Sequence, residues 1–367
     1  MGAMTERANH PLGLSLSDQE SIDNFENFWG REVLDNPLIG FNHYWNTSIG
    51  SPFKDPGMID LWVRKDGNRI FTIRNGHAIH PHTDDLVLQG YPYGLWPRRL
   101  QAIMNAQLIR NRGVRDIYVG PAFTPYLRSR LGGIDMTGGK TGNIARAKEQ
   151  MLRLASSTYR FYIRGEQAGA MYNPAPMIER CGVYFGEDAE NWPLMLTISK
   201  PYAESICTEG NAVPVDIAAL MRIKGPMEHD VYSWSVRRVF GVKPGKPVPL
   251  TWQNMFEQFG KTTYLSPTAM KDFQKDFRAC VLHLRKEVYP DLNFEERLGK
   301  WWLSASKLAV PQKKYWRGFT EERQLSLLPP EPDEPEETTE LPLCSRCGGS
   351  GFDRKIGNRC TCGAPMR

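Results

Sequence analysis

The last 24 residues of this 367-residue chain carry Cys344, Cys347, Cys360 and Cys362 in the order C-x2-C-x12-C-x-C, and Gly348, Gly349 and Gly351 follow the first pair. Cysteines at such spacing are metal ligands in type. Four soft sulfurs favour zinc in a closed, structural tetrahedron, and the glycines permit the tight turns of a knuckle. No histidine lies in this tail, so all four cysteines are expected to be required. The other three, Cys181, Cys207 and Cys280, stand singly among apolar neighbours and read as small core residues of a protein kept reduced.

Two further groups of side chains share one chemistry. In a helix expected over residues 143–155, Asn143, Arg146, Gln150 and Arg153 lie on one side, and Ile144, Ala147, Met151, Leu154 and Ala155 on the other. Arginine bonds guanine in a bidentate fork, and Asn or Gln does so to adenine. Lys140, at the helix start, suits a phosphate. In a helix expected over 267–288, Met270, Phe273, Phe277, Cys280 and Leu284 form the buried stripe, leaving Lys271, Gln274, Lys275 and Arg278 outward. A lone polar face is most simply a solvated one. Two such faces, each after a shorter helix and before β-like runs, are what groove-reading modules require.

Other motifs weigh less. His77, His80 and His82, with Asp84, Asp85, Tyr91 and Tyr93 nearby, suggest a metal-dependent DNA-nicking endonuclease, but Pro81 argues against the central strand that would carry such a histidine pair. The run GIDMTGGKT at 133–141 has one residue too many for a phosphate-binding loop and follows a helix, so no nucleotide cofactor is expected. No catalytic residue is assigned, and the chain is read as a non-enzyme. Gln324, Leu325, Leu327 and Leu328, in QLSLL, are similar to the short peptides that dock into the bacterial sliding clamp.

The elements around these residues give an α+β chain of several parts. Residues 1–58, rich in Asn, Pro, Ser and Gly, are expected to be a loosely ordered lead-in, followed by a first winged-helix domain with β extensions over 59–212. That domain holds a helix over 97–112, a strand over 117–119, helices over 123–131 and 143–155, and strands over 158–163, 182–185 and 194–198 that suggest a wing or small sheet. Residues 213–225 read as a connecting helix from Pro214, and 226–312 as a second winged-helix domain with helices over 229–239, 252–259 and 267–288 and a hairpin within 292–304. The two domains form a tandem pair of helix-turn-helix units. Residues 313–343, with their Pro and acid tract, are a disordered acidic linker bearing the clamp-type peptide, and 344–367 are the zinc-knuckle-like tail. The net charge of +5 is concentrated before the tail, which permits a nucleic-acid partner without demanding one. With no apolar run long enough to span a bilayer and no leader at the start, the chain is expected in the cytoplasm.

Over residues 60–312 the sequence resembles the RepA-type plasmid replication initiators. The resemblance rests on PYG at 92–94 with Pro97-Arg98, TGGK at 137–140 leading into a helix that ends RLASS, and VPVDIAALMRIKG at 213–225. It continues through HDVYSW at 229–234, Val248-Pro249, Trp252, Gln258-Phe259-Gly260, Phe273, Phe277, VYPDL at 288–292 and Val310-Pro311. It implies binding to repeated origin sequences (iterons) in double-stranded DNA, local opening of the duplex, and recruitment of the host initiator and replicative helicase. It also implies repression of the protein's own gene, and a switch between a homodimer and a DNA-bound monomer. A plain transcriptional repressor would share the helices without needing the clamp peptide.

Overall fold

The computed structural model describes residue 33 and residues 36–43, 51–66, 69–79, 83–111, 113–119, 123–131, 137–139, 141–163, 170–171, 175–181, 195–207, 212–261, 265–310, 352–353 and 358–359. The chain divides into two compact units, residues 1–317 and 318–367. In the first, the elements before the first helix are the strands β1 (Ile39–His43), β2 (Trp62–Asp66), β3 (Arg69–Arg74), β4 (His77–Ile79) and β5 (Leu86–Leu88). Next come α1 (Leu95–Arg110), β6 (Asp116–Tyr118), α2 (Phe123–Arg130), α3 (Asn143–Ser156), β7 (Thr158–Ile163), β8 (Ala170–Met171), β9 (Ala175–Pro176), β10 (Ile178–Cys181) and β11 (Met195–Ile198). Then follow α4 (Lys200–Cys207), β12 (Ala212–Asp216), α5 (Ile217–Arg222), α6 (Pro226–Phe240), β13 (Val248–Leu250), α7 (Trp252–Phe259), α8 (Pro267–His283), β14 (Phe294–Arg297) and β15 (Lys300–Leu303). A π-helical turn, Leu284–Val288, extends α8. Mixed helix and sheet, the α+β class expected from the sequence, is what the chain adopts.

One succession of elements occurs twice. With β7, β8 and β9, which belong to another sheet, set aside, helix, strand, helix, helix, strand, strand is the order of α1, β6, α2, α3, β10 and β11, and again of α6, β13, α7, α8, β14 and β15. The three strands of each set form an antiparallel sheet in which the last lies between the other two: β10-β11-β6 in one half, β13-β15-β14 in the other. The halves are lined differently. Aliphatic side chains such as Leu100, Ile103, Ile117, Leu127, Met151, Leu154 and Leu196 fill the first. The second packs Trp252, Phe256, Phe259, Phe273, Phe277, Phe294 and Trp301 mostly edge to face, with ring centroids 4.8 to 6.2 Å apart, the geometry their ring quadrupoles favour.

Between the halves lies a seam that the sequence did not announce. Every residue of α1 from Trp96 to Ile109 is buried, as is every residue of α6 from Met227 to Val236, so both helices are enclosed all round. Strand β1 pairs antiparallel with β12 and packs on α1, where a Cβ on Gly40 would come within 2.7 Å of the Ile217 side chain. The expectation of a loosely ordered lead-in therefore fails at Ile39–His43, which is wholly buried. The expected connecting helix from Pro214 is likewise corrected. Residues Ala212–Asp216 are a strand, and the helix begins only at Ile217, with Asp216 accepting the Ala219 amide as N-cap.

The strand over 158–163 is present but belongs to no wing: β7 pairs with β3 and so joins the sheet built from β2 and β3. That sheet has its own small core of Phe71, Ile73 and Tyr91. The hairpin partner of β11 is Ile178–Cys181, whereas the strand expected over 182–185 lies outside the described residues.

Candidate nucleic-acid interface

Helix α3 starts where glycines allow it. Gly139 has φ +85, and a Cβ on Gly142 would fall 2.3 Å from the Thr137 carbonyl oxygen, so only glycine permits this close return of the chain. The Thr137 hydroxyl accepts the Asn143 amide at 3.1 Å and its carbonyl accepts that of Ile144. These first amides of the helix are thereby occupied within the protein, which removes the donors a phosphate-binding loop would use. Lys140 lies outside the described residues.

The polar side of α3 is not uniformly outward. Arg146 is exposed, and its side chain makes no hydrogen bond or ion pair among the described residues. Asn143 is half-buried. Gln150, expected to face DNA, is buried and accepts the Tyr93 amide at 2.8 Å. Arg153 is also turned to the protein. It pairs with Asp55 at 2.8 Å and Glu149 at 2.7 Å, donates to the Tyr91 carbonyl at 3.0 Å and lies over the Tyr93 ring. Both residues fasten the preceding segment to α3 and are not available in this arrangement to a base edge. The buried stripe opposite is as expected: Ala147, Met151 and Leu154 are buried, and Ile144 and Ala155 pack against that core.

Helix α8 keeps its polar side at the surface. Ser266 caps its first turn and Pro267 opens it. The shorter helix before it, α7, starts with a reciprocal cap between Thr251 and Asn254. Phe273, Phe277 and Leu284 are buried; Met270 and Cys280 are partly so. Lys271 and Lys275 are exposed, with Gln274 half-buried beside them. Arg278 is exposed too, but its guanidinium forks onto Glu296 of β14, Nε to Oε2 at 2.7 Å and Nη2 to Oε1 at 2.9 Å, and lies 4.8 Å from the Trp252 ring centroid. The same Glu296 accepts the Trp252 indole N–H, and the Arg278 hydrogen bond holds its carboxyl below the usual range. Arg278 is thus the strut between helix and hairpin.

The remaining candidates divide in two. His77 is exposed on the two-stranded β4–β5 hairpin, while His80 and His82 lie outside the described residues. Tyr91, a conceivable nucleophile beside them, is buried and donates to the Ile59 carbonyl at 2.8 Å. A cleft of 1620 Å³ runs between residues 52–65 and helices α7 and α8, but charges of both signs line it, Lys65 and Lys224 against Glu257, and Lys261 paired with Asp276. Gln324, Leu325, Leu327, Leu328 and the four tail cysteines lie outside the described residues. Between the two cysteine pairs, β16 (Phe352–Asp353) pairs antiparallel with β17 (Asn358–Arg359).

Residues 91–253 match the family model described as the plasmid encoded RepA protein. Over these residues the chain is similar to the RepA-type plasmid replication initiators. No curated protein matches the chain. The RepA segment begins at Tyr91 and ends just inside α7, so it takes in α3 and the seam elements α1, β12 and α6, but not β1, α8 or the hairpin after α8. Within it, the motif residues Arg98 and Asp230 meet each other: the guanidinium of α1 bonds the carboxylate of α6 at 2.7 and 2.8 Å, and both side chains are almost completely buried. Arg98 also donates to the carbonyls of Gly94 and Ser51, and Asn42 of β1 donates to Ser233 of α6 at 2.6 Å. Arg98 holds the Asp230 carboxyl below its ordinary pKa against the opposing effect of burial. Much of what the RepA match covers is therefore the joint between the two halves. Sequence reasoning quoted both residues without pairing them, because 132 positions separate them and nothing local marks a partner.

Proposed function

We propose that the two repeated units are winged-helix modules, that α3 and α8 are their major-groove helices, and that together they bind repeated origin sequences to initiate plasmid replication. One observation carries this reading: the same element order and the same strand order, last strand in the middle, occur in both halves, and each places an amphipathic third helix before its hairpin. On that reading Arg146, Asn143, Lys271, Gln274 and Lys275 approach DNA, with Lys140 at the start of α3. Gln150, Arg153 and Arg278 act by positioning. The RepA match supports the replication role; no helix among the described residues is long and apolar enough to cross a membrane.

The tail adds two parts to the proposal. QLSLL at 324–328 docks the host sliding clamp, bringing polymerase components to the origin alongside the host initiator and replicative helicase. Cys344, Cys347, Cys360 and Cys362 hold one structural zinc. The donor set fits zinc, and the β16–β17 pairing separates the two cysteine pairs as a knuckle requires. Binding of the same sequences upstream of the protein's own gene would give autorepression, and a homodimer would be the form without DNA.

Footprinting on the plasmid's origin, with band shifts at several salt concentrations, tests the central claim. Wild type is expected to protect repeated segments, and Arg146→Ala to lose about tenfold in affinity and some sequence discrimination. Equal protection of unrelated duplex, or unchanged affinity in Arg146→Ala, would overturn the assignment of α3.

A further inference from the structure

The turn joining β14 to β15 has the wrong residue for its backbone. Leu298 and Gly299 are its two central residues, with φ +51 and +71. Two-residue hairpin turns of this kind favour Asn-Gly or Asp-Gly, because an L residue with a large side chain is strained at positive φ. Leu298 gains nothing from packing in return: it is 98% exposed, more than any other large apolar side chain among the described residues. Isolated surface leucines are ordinary. A leucine that is both strained and completely exposed, at a tip where asparagine would serve the fold better on both counts, calls for a partner outside the fold.

What surrounds the tip identifies that partner's chemistry. Arg297 and Lys300 face each other across the last pair of the ladder, directly behind Leu298. The hairpin's two carboxylates are engaged within the protein, Glu295 by Arg297 and Arg285, and Glu296 by Arg278, so with Lys300 the cations around the hairpin outnumber its acids four to two among the described residues. The Trp302 indole donates to the Arg297 carbonyl at 3.3 Å, bracing the turn. Through Arg278 and Glu296 the hairpin is fixed to α8, and Leu298 stands two residues, roughly 7 Å, beyond that strut. We propose that Leu298 is an apolar wedge that enters the minor groove of duplex DNA, beside the major-groove contact of α8, and partly unstacks one base step. This rests on the DNA-binding reading above. Apolar side chains at the tip of a cationic element unstack and kink duplexes in this way, and one unstacked step is a starting point for opening an origin.

The test uses the full chain and a duplex from the origin of the plasmid that encodes it, labelled with 2-aminopurine at successive positions. Wild type is expected to raise the probe's fluorescence at one position beside the footprint of α8. Leu298→Asn should abolish that rise, keep band-shift affinity within about threefold, and melt at the same or a higher temperature, since asparagine relieves the turn. Leu298→Met should retain the rise. A Leu298→Asn chain that binds and raises fluorescence as wild type does would overturn the wedge and leave the DNA-binding reading standing. A wild-type chain that shifts no origin duplex would overturn both.

Discussion

Helices α3 and α8 occupy the same place in two copies of one topology, and both divide into an apolar stripe and a polar arc, yet they use that arc differently. On α3, Gln150 and Arg153 turn to the protein and fasten Tyr91, Tyr93 and Asp55. On α8, Lys271 and Lys275 stay exposed, and Arg278 is secured to the hairpin and to Trp252 of α7, both within its own half. The cause is what lies alongside. The segment leading into the β2-β3-β7 sheet supplies partners to one edge of α3, whereas the sheet meets the second half at the end of α7, where Arg64 donates to the Gln258 and Gly260 carbonyls, and bonds neither Lys271 nor Lys275 among the described residues. A polar arc on a helical wheel therefore gives an angle, and the neighbouring chain decides whether that angle is surface.

The two third helices can act as a pair only while both halves are held together, so the largest effect should come from breaking their joint. Asp230→Ala leaves Arg98 buried without its carboxylate, and removal of one member of such a pair costs about 3 to 5 kcal/mol. Urea unfolding is expected to show that loss, with much of it recovered in the double variant Arg98→Met, Asp230→Leu. A variant as stable as wild type would mean the halves are joined by apolar packing alone. The same seam should be sensitive to acid. Burial lowers the pKa of His43 to about 3, and lowers that of His229. The unfolded chain takes up these protons first, near pH 6.5, so the stability due to the neutral rings is present above pH 6.5. For His43 it is lost as pH falls from 6.5 toward 3, at about 1.4 kcal/mol per pH unit, and His229 adds a loss in the same direction. Replacing His43 by Gln should flatten the fall between pH 6 and 4 in urea titrations; an unchanged slope would assign the acid sensitivity elsewhere.

What could be read from the sequence follows the same logic. Helices α3, α7 and α8 were legible nearly to the residue because their signals are local: an apolar stripe at helical spacing and, for α8, Pro267 at the first position. The β1–β12 pair was not. Ile39–His43 is a short strand buried on both faces, with no alternation to reveal it, and Pro214 within its partner looked like the start of a helix. For α1 the expected start at Pro97 missed a turn beginning at Leu95, and its buried Arg98, Arg99, Gln101, Asn105 and Gln107 give no polar face to recognise. At the candidate interface, the apolar stripes of α3 and α8 could be read from helical spacing, but the surroundings of their polar arcs could not. The burial of Gln150 and Arg153, the Arg278–Glu296 strut and the exposed Leu298 depend on contacts between segments distant in sequence or on backbone torsion.

The sharpest form of the comparison sets Arg153 against the lysine pair of α8. Arg153→Ala removes two ion pairs, a bond to the Tyr91 carbonyl and a stacked ring from a side chain only 14% exposed. Loss of such charged hydrogen bonds is expected to cost about 2 kcal/mol, read as a lower melting temperature. Origin affinity at a temperature where the variant is folded should change little, since Arg153 does not face the duplex. Replacing Lys271 and Lys275 together by Ala should do the reverse. Both are exposed, so stability should stay within roughly 0.5 kcal/mol, while the slope of log affinity against log salt should shrink by about 1.8 as two phosphate contacts are lost. Weaker DNA binding in Arg153→Ala at full stability would mean that α3 frees this arginine on the duplex. The two third helices would then differ only in the unbound protein.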